Sequence, residues 1–140
     1  MRKTFLIMAL AAGLAAPVAA APIALDCEAT RACVANLDAA CDATRVSYQL
    51  DVGEEVGDKV VLTTDEGDRF YEFRRLAGAE GVVLQAAGGA LESDQGAGAM
   101  TVFKDLRFVL TRHGLLALEG DEVPPAAVSI SVFGTCTPRE

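Results

Sequence analysis

From Val46 to Thr135 the side chains change character mostly with a period of two, and this rhythm constrains the fold more than any other feature. Val46, Tyr48, Leu50 and Val52 alternate with Ser47, Gln49 and Asp51. Leu106, Phe108 and Leu110 alternate with Arg107 and Val109, and Val128, Ile130, Val132 and Gly134 with Ser129, Ser131, Phe133 and Thr135. A strand puts successive side chains on opposite faces, so each run reads as a strand with one face buried. Further strands are expected at Lys59–Thr63, Arg69–Leu76, Val82–Ala86, Met100–Lys104 and Leu115–Leu118. Thr64–Asp68 and Arg112-His113-Gly114 read as turns, and the Gly-bearing stretch Ala87–Ala99 as a long irregular connection. Leu25–Cys41 is ambiguous: its alanines permit a helical turn near Val34–Ala40, while Thr30 and nearby cysteines favour coil.

About eight short strands with turn chemistry between them argue for an all-β fold, either a small antiparallel barrel or a two-sheet sandwich. Closure into a barrel removes unpaired edge strands, whereas a sandwich would show the same rhythm.

Cys27, Cys33, Cys41 and Cys136 all follow the first twenty residues. The spacings C-x5-C and C-x7-C do not suit a zinc knuckle, and no C-x-x-C is present for redox exchange. An even set in an exported chain is therefore read as two structural disulfides. Four cysteines allow three connectivities. Cys136 closes the last strand and Cys27 lies where an opening strand would run, so the expected pairs are Cys27–Cys136 and Cys33–Cys41.

Met1–Ala20 reads as a signal peptide: Arg2 and Lys3 start it, Phe5–Leu14 is apolar, and Val18-Ala19-Ala20 precede the expected cut at Ala21. No stable membrane anchor is expected, because many of the residues in Phe5–Ala24 are Ala, Gly or Pro. The reading is one disulfide-stabilised β domain over 21–140, exported by a Sec-type route to the periplasm or beyond. The whole chain carries 12 Lys plus Arg against 20 Asp plus Glu, a net charge of −8. That field disfavours nucleic acid and anionic lipid as partners. With 51% hydrophobic residues the chain is not expected to be disordered.

No catalytic, cofactor-binding or metal-binding constellation is visible. His113 is the single histidine, set in what reads as a solvated turn, and general-base work needs partners and a cleft. Ser129 and Ser131 read as an outward strand face. Acids gather at Asp51, Glu54, Glu55 and Asp58 and again at Asp65, Glu66 and Asp68, but neither group has the spacing of a calcium loop. Arg69, Arg74, Arg75, Arg107 and Arg112 could grip an anion, although pairing with the surplus acids is the more common fate of such residues. Phe70 and Phe133 fall out of phase with their apolar neighbours, which puts one of them towards solvent or a partner.

The function expected from these features is non-catalytic: an exported accessory module that binds a small molecule or a protein and needs no cofactor. A lipocalin-like binder and a barrel-type inhibitor are analogies at the level of fold alone. The alternatives are a small secreted hydrolase and a subunit of an envelope assembly.

Overall fold

A computed structural model describes residues 22–35, 41–65, 70–90, 95–116 and 124–140. The proposed signal peptide therefore lies outside the described residues, as do Glu66, Asp68 and Arg69. So does the side chain of Phe70. The described residues form eight strands: β1 (Ile23–Ala35), β2 (Cys41–Val52), β3 (Lys59–Thr64), β4 (Phe70–Arg75), β5 (Val82–Ala90), β6 (Gln95–Phe103), β7 (Arg107–Leu116) and β8 (Ala126–Pro138). Each pairs antiparallel with its neighbours in sequence, and β1 pairs with β8, so the sheet is a closed up-and-down barrel rather than a sandwich.

Eight strands enclose a space just wide enough for side chains to fill. Leu50, Val60, Leu62, Phe73, Leu84, Met100, Val102 and Phe108 are fully enclosed there. Tyr48 meets Phe108 edge-on, and Tyr71 stacks on Phe73. Each such side chain contributes about 1.5–3 kcal/mol on burial. The outer wall carries Asp26, Glu28, Arg45, Asp51, Lys59, Glu72 and Arg74, with ion pairs such as Lys59–Glu72 and Arg45–Glu28. Apolar inside and charged outside is the reverse of a barrel that spans a membrane.

Three expectations need correction. Leu25–Ala35 is strand, not coil, and residues 36–40, where most of the permitted helical turn would fall, lie outside the described residues. Its alternation breaks because the register slips between Ala29 and Arg31 against both neighbours. Leu25, Cys27 and Ala29 are buried before the slip, and Ala32 packs on the core after it, paired with the buried Val132. A bulge of this kind adds a residue and moves the side chains beyond it to the other face. The segment Ala87–Ala99 is mostly strand, since Gly88 pairs with Gly98 in the β5–β6 ladder. Gly88 and Gly98 answer close strand approach: a Cβ on Gly98 would stand 2.6 Å from the Thr111 carbonyl oxygen. Finally, Arg112-His113-Gly114 is no turn. It continues β7, with partners Ile130, Ser129 and Val128 on β8, and Leu115 belongs to the same strand.

Two disulfides staple the barrel: Cys27–Cys136 and Cys33–Cys41. They suit an oxidising environment such as that met on export.

Candidate functional site

The β1 bulge shapes one stretch of the outer wall. Opposite it on β8 lies Gly134, whose Cβ would fall on the Glu28 carbonyl oxygen and stand 2.7 Å from Phe108 Cε1. Glycine is thus demanded where β8 closes on the bulged strand. The next residue in each direction, Phe133 or Thr135, points the opposite way, outward. Phe133 pairs with Arg31 on β1 and Val109 on β7. The Arg31 guanidinium lies 5.6 Å from the centre of the Phe133 ring, within cation–π range. Thr30, Phe103, Arg107 and Thr135 complete a groove of about 550 Å³. Phe103 is 38% exposed, a large aromatic surface to leave in water.

The two arginines of this groove differ in their company. Asp105 takes hydrogen bonds from the Arg107 backbone N–H (3.1 Å) and from its Nε (2.7 Å). The backbone bond first, then the side-chain bond, hold the Asp105 carboxyl below its ordinary 3.8. Arg31 has no carboxylate partner among the described residues. The Lys104–Leu106 turn below the groove has an unusual backbone. Leu106 adopts φ 63°, yet its side chain packs on the core, and its carbonyl accepts the Cys136 N–H at 2.7 Å. That conformation costs a non-glycine residue about 1–2 kcal/mol.

A second groove, of about 340 Å³, runs beside the first across β8, β1 and β2. Asp26, Glu28, Ser47, Gln49, Asp65 and Thr137 line it, so its surface is polar and acidic.

The remaining sequence candidates are dispersed. His113 is exposed on β7. Ser131 Oγ lies 3.3 Å from Thr111 Oγ1, and Ser129 pairs with His113 across β7 and β8. Asp51 pairs with Arg139, while the Asp58 carboxylate accepts the Glu55 backbone N–H at 2.9 Å. Arg74 joins Glu72, and Arg75 donates to the Gly53 and Glu54 carbonyls, tying the 53–58 loop to β4. Among the described residues no three His, Cys, Asp or Glu side chains converge to hold a metal ion. Of the two out-of-phase aromatics, Phe133 does face outward. Sequence reasoning passed over Arg31 and Val109, which reach Phe133 only through strand pairing. No family model matches the chain, and no curated protein proves similar to it.

Proposed function

We propose that the protein is a non-catalytic binding module, exported by a Sec-type signal to the periplasm or beyond, that holds a partner protein on the Phe133 groove. One observation carries this reading: Phe103, Val109 and Phe133 lie together with Arg31 and Arg107 on a wall otherwise studded with charged and polar groups. Aromatic side chains and arginine are the residues most enriched where proteins bind one another. Two features of the fold support the choice of the wall. The core cluster fills the middle of the interior with the protein's own side chains. A closed sheet offers no free edge for a partner strand to extend. The partner segment would present an apolar side chain to Phe133 and a carboxylate to Arg31, since Arg31 has no acid partner among the described residues of an acidic protein.

The test uses the mature protein and any partner recovered with it from the extracytoplasmic fraction. Both are purified and recombined. Phe133→Ala and Arg31→Ala should each weaken the complex at least about tenfold, as central aromatic and arginine contacts do. Val61→Ala, on the outer face of β3, should leave affinity unchanged. Equal binding by all three variants would remove the groove as the docking site.

A further inference from the structure

Arg112 is an arginine placed on the inner phase of the barrel. It follows Phe108 and Leu110 at two-residue intervals on β7, and both of those are buried in the core. Its row across the sheet runs through Gly98 on β6 and Gly88 on β5 to Phe73 on β4. Two successive strands thus present no side chain in front of it. The guanidinium lies 5.6 Å from the centre of the Tyr71 ring, and an N–H donates to the Tyr71 hydroxyl. Tyr71 is itself buried.

The charge is part-buried and has no carboxylate partner among the described residues. By contrast, Arg45, Arg74, Arg107 and Arg139 each meet an acid on the outer wall. A cation taken from water without a counter-ion is costly, and the attraction of an anion to it strengthens where water is thinned. Among the described residues one of the five guanidinium N–H groups is used, by Tyr71, which leaves the rest of the planar fork.

We infer that Arg112, backed by Tyr71, is a binding site for a single carboxylate on the inner face of β7. One guanidinium matches a carboxylate as a planar, two-pronged pair of unit charges. A phosphate dianion would call for a second cation, and the chain's net charge of −8 opposes it. The carboxylate belongs either to a small organic acid or to the C-terminus of a peptide. The site is separate from the Phe133 groove, because Arg112 faces inward and Phe133 outward.

The experiment is a titration of the isotope-labelled mature protein at constant ionic strength, followed by proton–nitrogen correlation spectra that include the arginine Nε–H signals. The probes are sodium acetate, a short peptide with a free C-terminus, its amidated form, and sodium chloride. The expected result is a saturable shift of the Arg112 Nε–H and the Gly88 and Gly98 amides with acetate or the free peptide. Saturation by acetate and not by peptide identifies a small-acid site; tighter saturation by the peptide identifies a chain-end site. Arg112→Lys keeps the charge but loses the fork and should weaken binding at least about tenfold. Arg45→Ala, which removes an exposed cation from the outer wall, should bind undiminished, which ties the shift to Arg112 rather than to surface charge. No saturable shift with any carboxylate would overturn the inference. So would an equal response to chloride or to the amidated peptide, or full affinity in a folded Arg112→Lys protein.

Discussion

Both disulfides begin on β1, and each joins residues that face each other directly across a ladder: Cys27 opposite Cys136, and Cys33 opposite Cys41. Yet the first bridge lies in the core, with both cysteines at most 3% exposed, while Cys41 of the second is exposed on the outer wall. Cys33 lies six positions after Cys27, so an unbroken strand would aim both the same way. The slip at Thr30 turns the second outward. The bridges also differ in span, closing sequence separations of 109 and 8 residues. One irregular position thus divides the two cross-links between separate tasks. The inner bridge closes the barrel and fills its core, and the outer one ties a local hairpin.

The widest difference should appear in reduction without denaturant. The outer bridge is open to thiolate attack, whereas the inner one waits for the barrel to open. The Cys27–Cys136 thiols should then alkylate slower by a factor on the order of a thousand or more, the reciprocal of a global opening equilibrium. Mass mapping of trapped thiols over time measures this, and equal rates would break the contrast. Equilibrium stability should separate the bridges less. On chain entropy, replacing Cys27 and Cys136 by Ala should cost about 5 kcal/mol, and replacing Cys33 and Cys41 about 2.5 kcal/mol. Urea unfolding of the two double variants decides; equal losses would count against distinct roles.

The packing around the bulge offers a sharper test. Gly134→Ala forces a methyl onto the Glu28 carbonyl and should cost about 3 kcal/mol. Gly89→Ala meets nothing within 4 Å and should stay within about 0.5 kcal/mol of the parent. The smallest effect concerns the turn that supports Cys136. The Asp105 pKa is lowered in the folded state, so its contribution to stability is present above the unfolded value near 3.8 and fades as pH falls through the lower folded value. Asp105→Asn should therefore be slightly less stable than the parent at neutral pH, and the gap should close in acid and shrink in salt. Thermal unfolding across pH checks the sign.

Much of the barrel was legible from alternation alone. Val46–Val52 and Val128–Val132 give away their inner faces because apolar and polar residues take turns. The signal failed where physics removed one of those two classes. On β5 and β6 the inner positions include Ala86, Gly88 and Gly98, which carry little hydrophobic signature, so strand looked like loop. On β1 the bulge changed phase in mid-strand and scrambled the period. On β7 the inward Arg112 interrupted the sequence Phe108, Leu110, and Gly114 then suggested a turn. The groove was less legible still. Phe133 betrayed itself by its phase, but Arg31 lies 102 positions away and is brought to it only by the register of β1 with β8.

That same register bears on how the molecule comes into being. The opening strand has one mate beside it and another at the far end of the chain. As the polypeptide emerges, a meander of hairpins can grow in order, yet the ring stays open until the last dozen residues arrive. Contacts this distant in sequence slow folding. Until then Cys27 waits without its mate while Cys33 and Cys41 are already at hand, so a premature Cys27–Cys33 or Cys27–Cys41 link is the error that a nascent chain must avoid.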